Sequence, residues 1–187
     1  MKKFIILSLF SLVSSLAMSQ EAQAKKGTST SEIIANILSN TGGGYSYDTD
    51  GNGQSQGFWV STGYTFHVDE KLAVSPRLVY NWDNFSCDGY SAEYKSLRVP
   101  VRADYSLINN GTFGVGAYGG MDAEKIMRVS NNSYDSNVRP VQCSVFAGAS
   151  MRIANRISAN VGYRVGLLSF YKDGTGRNKG FEFSFNF

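Results

Sequence analysis

Residues 181–187 read Phe181-Glu182-Phe183-Ser184-Phe185-Asn186-Phe187, an unbroken alternation of rings and polar groups. In an extended chain successive side chains point to opposite faces, so the four phenylalanines share one face and Glu182, Ser184 and Asn186 the other. A helix would scatter the same rings around its axis. The run therefore predicts a strand with one greasy and one polar side.

The same period recurs upstream. Ile157, Ala159, Val161, Tyr163, Val165 and Leu167 alternate with Ser158, Asn160, Gly162, Arg164 and Gly166. Comparable runs begin at Phe58, Leu72, Leu97, Phe113 and Val141, which makes seven strands with the last. An even count with both ends on one side of a membrane requires an eighth before residue 48. Gly42–Asp48, with Tyr45 and Tyr47 on one face, is the candidate, although Gly42, Gly43 and Gly44 make a poor strand. Further upstream Ser29 and Glu32 have capping-box spacing, and Ile33, Ile34, Ile37 and Leu38 have helical spacing. That segment is either a short helix before the strands or the start of the first strand.

The polar faces decide the architecture. They hold glycine, serine and asparagine together with Arg77, Arg98, Arg102, Arg152 and Arg164, and with Asp104 and Glu182. Small groups and paired charges suit the crowded lumen of a narrow barrel better than a solvated surface. The apolar faces then meet lipid, where every backbone donor and acceptor must pair within the protein, so the sheet has to close on itself. The expected fold is all-β: an eight-stranded antiparallel up-and-down transmembrane β-barrel with a salt-bridged lumen. Arg164 and Glu182 flank the last hairpin at similar distances from its loop and are expected to pair.

Connection lengths agree with that fold. Short turns are expected at 69–71, 108–111 and 154–156, and longer loops at 48–56, 83–95, 122–139 and 171–179. Short periplasmic turns alternating with longer extracellular loops are the rule for such barrels. Tyr64, Phe66, Tyr105, Phe113 and Phe187 then fall near the inner rim, and Phe58, Tyr80, Trp82 and Tyr171 near the outer one, as interfacial aromatics do.

Composition narrows the rest. At 187 residues there is room for one domain, and the formal net charge of +3 falls to about +1 once Lys2 and Lys3 are removed. No basic surplus points to a nucleic-acid partner. Lys2 and Lys3 precede the apolar stretch Phe4–Ala17, and small residues precede a cut after Ser19 or after Ala24, so residues 1–19 read as a secretory signal peptide with an alternative end at 24. Residues 20–41 form an N-terminal segment, and 42–187 the barrel.

Taken together, the strand pattern, the stretch Leu97-Arg98-Val99-Pro100-Val101 and the terminal Phe181, Phe183, Phe185 and Phe187 resemble small outer-membrane barrels of the OmpA/OmpX type. Within these the chain is most similar to the PorT-like barrels of Bacteroidetes. The resemblance covers residues 42–187. It implies a Gram-negative outer-membrane location, insertion by the barrel-assembly machinery that reads the terminal aromatics, and little about activity. Pro76 and Pro100 depart from the pattern, since each removes a ladder donor inside a strand, and a bulge or local irregularity is expected at both.

Few residues suggest chemistry. Asp48, Asp50 and Asn52 match the opening of a calcium loop, but Trp59 stands where that loop needs its bidentate carboxylate, so these three are a weak metal candidate. His67, the only histidine, is expected beside an inner turn, away from the outer leaflet where a lipid-modifying enzyme would work. Export permits a disulfide between Cys87 and Cys143, but a strand intervenes and Cys143 is expected to face lipid, so the reading favours two separate thiols over a pair. No catalytic residue and no cofactor are assigned. The leading functional expectation is a non-enzymatic, porin-like membrane barrel, monomeric, with membrane lipid as its surroundings and polar loops 83–95 and 122–139 available to an unknown extracellular partner. The competing expectations are a secreted lipocalin-like barrel around a small hydrophobic ligand, and a lipid-modifying barrel enzyme.

Overall fold

The structure is a computed structural model that describes residues 30–49, 53–87, 90–129, 138–153, 157–172, 174 and 176–186, without the side chains of Ser39, Tyr90, Arg128 and Val129. The expected signal segment, Ser29, Asp50, Asn52 and Phe187 lie outside the described residues. The chain divides after Ala35, and Asn36 onward forms the unit that holds the barrel.

One helix, α1 (Thr30–Ser39), is followed by strand segments β1 (Gly42–Thr49), β2 (Gln54–Gly63), β3 (Phe66–His67), β4 (Leu72–Cys87), β5 (Tyr90–Asn109), β6 (Phe113–Val129), β7 (Val141–Ile153), β8 (Ile157–Gly166) and β9 (Lys179–Asn186). Each pairs antiparallel with its sequence neighbours except that β2 and β3 do not pair with each other and both pair with β4, and β1 also pairs with β9. Because β3 continues β2 after a break at Tyr64 and Thr65, the segments make eight staves of a closed barrel. The upstream alternative is thereby settled: the segment before Gly42 is helical and the glycine-rich run is the first strand.

Sidedness follows the alternation. Phe58, Val60, Leu78, Val99, Val145, Val161, Phe181, Phe183 and Phe185 are exposed on the outer face. Ser46, Ser61, Asn81, Arg98, Arg102, Asn160, Arg164 and Ser184 are buried inside. A lipocalin-like barrel would reverse this order, with the apolar set around an internal cavity.

The expected long loops at 48–56, 83–95 and 122–139 are a correction. β1 and β2 stay in register to Thr49↔Gln54, β4 and β5 to Cys87↔Tyr90, and β6 continues to Val129. Polar composition suggested loops there, yet the ladder persists because the inward positions keep their period: Asp83 and Phe85, Ala92 and Tyr94, then Asp122, Glu124 and Ile126 are all buried. At Pro76 and Pro100 the β4–β5 ladder lapses between Pro76↔Val101 and Val79↔Arg98 without changing register. The register shifts fall elsewhere in β5, at Lys95/Ser96 and Ser106/Ile108.

The inner turns are capped locally. The Asp69 carboxylate accepts the backbone N–H groups of Lys71 and Leu72, each at 2.7 Å, and those bonds hold it below the usual carboxylate range. Gly111 takes a φ of +83°, the left-handed conformation its turn requires, while Asn110 Oδ1 accepts the N–H of Phe113 at 2.7 Å.

Inward glycines make room for rings. A Cβ on Gly44 would stand 2.6 Å from the Trp59 indole, and one on Gly148 the same distance from the Tyr118 ring. The glycine triplet that weakens β1 as an isolated strand is thus what admits Trp59 to the lumen. Gly148→Val is expected to lower stability by about 1–3 kcal/mol through overpacking, read as an earlier urea-unfolding midpoint in lipid vesicles. An unchanged midpoint would mean that Tyr118 does not lie over this strand.

Candidate functional site

The lumen is the one place where the fold gathers chemistry, and it is layered along the barrel axis. At the outer end Phe85, Tyr94, Ile126, Val138 and Phe170 form an apolar cluster, with Cys87 and Tyr171 packed against it. β4, β5 and β6 supply the first three, and the segments flanking β7 and following β8 supply the others. Arg139 ties those two segments together by donating to Ser169 Oγ at 3.3 Å, to Tyr171 O at 3.2 Å and to Lys172 O at 3.0 Å. Gln142 Nε2 donates to Arg139 O at 3.2 Å. The outer mouth is therefore closed by side chains of the barrel's own strands and loops.

Beneath this cluster lies an ionic layer. Arg164 Nη2 is 2.7 Å from Asp48 Oδ2, its Nη1 is 3.5 Å from Glu124 Oε2 and its Nε is 3.6 Å from Glu182 Oε1. Arg98 pairs with Glu182 and stands 3.8 Å from Asp122. Glu124 also accepts from Ser96 and, at 3.2 Å, from Asn81, while Ser46 donates to Asp83 at 3.3 Å. Five carboxyls thus share a small volume with two guanidinium groups, and most of these side chains are buried. Charges taken out of water at this cost persist only when paired and hydrogen-bonded, so the arginines organise the layer.

The middle of the lumen is filled. Arg98 lies 5.8 Å above the Trp59 ring and Arg102 lies 3.7 Å above Tyr118, both within cation–π range. The cavity that remains among Trp59, Ser61, Arg77 and Tyr118 is about 40 Å³, room for no more than a few waters. Arg102 Nε donates to both carboxylate oxygens of Asp104 at 2.9 Å, and its Nη2 donates to Asn160 Oδ1 at 2.8 Å.

The inner end opens into a cavity of about 590 Å³. Asn36 in the C-terminal half of α1 and Asn40 just after its end border it, and Asn36 pairs with the backbone of Thr65 through both amide atoms, at 3.1 and 2.9 Å. Thr65 Oγ1 donates to Asn40 Oδ1 at 2.6 Å. Arg77, Arg102, Asp104, Arg152 and His67 line the same space. Arg77 Nη1 donates to Asn186 Oδ1 at 2.7 Å, and its Nε is buried with no acceptor.

Among the residues expected in the lumen, Arg98, Arg164 and Glu182 come together, Arg102 pairs with Asp104, Arg77 reaches Asn186, and Arg152 is exposed at the inner lip with no ion-pair partner among the described residues. Asp48 does not head an external calcium loop: its side chain is inside the barrel, bound to Arg164, and Asp50 and Asn52 lie outside the described residues. Sequence reasoning missed Asp83, Asp122 and Glu124, the acids that balance the arginines. The signal was present, because all three fall in phase with the inward positions of β4 and β6. Cys87 and Cys143 are not joined to each other by a disulfide. Phe181, Phe183 and Phe185 are exposed on the outer face of β9.

A closed antiparallel barrel of eight staves, apolar outside and ion-paired within, has the fold of the small outer-membrane barrels. Among solved structures the chain is similar to the outer-membrane enzyme PagL, with a TM-score of 0.53 and 9% identity over 78% of this chain and 97% of that one. It is also similar to Ail, the attachment invasion locus protein of Yersinia pestis, with a TM-score of 0.47 and 13% identity over 78% and 94% of the two chains. No family model and no curated protein matches the sequence.

Proposed function

We propose that the chain is a non-enzymatic integral protein of a bacterial outer membrane, of the PorT-like kind found in Bacteroidetes, exported by residues 1–19 and acting as a structural or surface-interaction barrel. The observation that carries this reading is the closed ladder with its apolar face outward. Water would penalise that belt of exposed Phe, Val, Leu and Met, whereas hydrocarbon accepts it. The outer hairpins β1–β2, β4–β5 and the extended end of β6 are the surfaces offered to an extracellular partner.

Two features support a role other than conduction or catalysis. The lumen is closed by the Phe85 and Phe170 cluster and filled by the arginine layer. His67, the chain's only histidine, borders the inner cavity, far in the fold from the outer hairpins where a lipid-modifying site would need a base.

The two tryptophans test the membrane reading directly. Trp82 is 40% exposed on the outer face and Trp59 is 7% exposed inside. In vesicles of brominated phosphatidylcholine, Trp59→Phe protein, which keeps Trp82, should lose most of its emission, and Trp82→Phe protein should keep most of it. Equal quenching of the two, or recovery of the protein as a water-soluble species needing no detergent, would sink the membrane assignment.

A further inference from the structure

The inner cavity carries an excess of cationic side chains, opposite in sign to the acid-rich layer above it. Among the described residues, three arginines line it, Arg77, Arg102 and Arg152, against a single carboxylate, Asp104. Asp104 is already committed to Arg102 through two bonds of 2.9 Å. Arg77 is left with one amide oxygen, Asn186 Oδ1, and Arg152 has no acceptor among the described residues. Two guanidinium groups with no ion pair of their own among the described residues therefore border one open space of about 590 Å³, a volume suited to a small molecule.

The rest of the lining is matched to such an occupant. Asn40, Ser150, Ser158 and His67 place amide, hydroxyl and imidazole groups around the arginines, while apolar side chains are few. Ser150 and Arg152 stand on one strand two positions apart, so both present to the lumen side of β7. A cavity with low-dielectric walls and one sign of charge concentrates ions of the other sign. Guanidinium forks match the geometry of phosphate and carboxylate oxygens better than any other side chain. A purely structural arginine would be paired, as Arg98, Arg102 and Arg164 are in this barrel.

We infer that this inner vestibule binds a small oxyanion, a phosphate- or carboxylate-bearing group that enters from the inner side and is held by Arg77 and Arg152. The group could belong to a soluble small molecule or to an anionic lipid headgroup at the inner leaflet, which offer the same chemistry. The site is independent of the outer hairpins, so it can stand or fall apart from the surface-interaction reading.

Calorimetric titration of the full chain folded in an uncharged detergent tests it, with inorganic phosphate, citrate and, separately, phosphatidylglycerol in mixed micelles as probes. Saturable binding of phosphate or citrate that weakens about tenfold or more in Arg152→Gln and in Arg77→Gln, and is unchanged in Lys179→Gln at the outer rim, supports a soluble ligand. Saturation by phosphatidylglycerol alone, lost in the same two variants, supports the headgroup. Arg152 is exposed and unpaired, so its glutamine variant should fold as the parent does. No saturable binding of any probe, or binding that Arg152→Gln leaves intact, overturns the inference.

Discussion

Arg164→Met is expected to destabilise the barrel by about 3–5 kcal/mol, because the substitution leaves buried carboxylates without their counter-charge. Arg164 reaches Asp48, Glu124 and Glu182 at once, from β8 to β1, β6 and β9. An intact buried ion pair contributes little net stability, since desolvation offsets its attraction, but removing one partner exposes the whole desolvation cost of the other. The loss should be read from equilibrium urea unfolding of protein folded in lipid vesicles. Adding Asp48→Asn to the same protein should return part of it, and the two effects should be non-additive because the groups touch. An unfolding midpoint equal to the wild type would show that Arg164 does not hold this layer together.

Val161→Arg should cost about 2–4 kcal/mol, the penalty for a cation at the bilayer midplane on the lipid face of a barrel. Val161 is 43% exposed on the outer face and pairs with Ala149 and Phe183 near the middle of its strand. Val161→Leu at the same position should be nearly silent. If the outer face met water, the arginine would be tolerated and would improve solubility, so an unchanged or higher midpoint in vesicles contradicts a lipid-facing belt. Both predictions use the same assay, but they probe opposite faces of the same strand, β8.

How far the lumen could be read in advance depended on the company each residue keeps. Arg98, Arg102 and Arg164 stand between apolar neighbours, so their strands were obvious and their inward direction followed. Asp83 opens the stretch Asp83-Asn84-Phe85-Ser86, and Asp122 and Glu124 run into Lys125, so these acids read as the start of a polar loop and the period is concealed. Their strands continue because the neighbouring strand supplies a hydrogen-bonding partner, which is a property of the pair and not of either segment. The same holds for Asp48. Local spacing suggested a cation loop, and the ladder with β9 turned the carboxylate into the barrel instead.

Alternation is a local property of an extended chain, and from it came seven strands, their two faces and the outward set of rings, the eighth stave following from the even count of such barrels. Partnership is different. Arg164 and Asp48 are 116 positions apart, and they meet only because β1 closes on β9 and brings the first and last strands together. Closure decided which carboxylates lie inside, which arginines remain unpaired at the inner mouth, and that Phe85, Tyr94 and Phe170 close the outer one, since each of those outcomes depends on the stagger between strands that no single segment encodes.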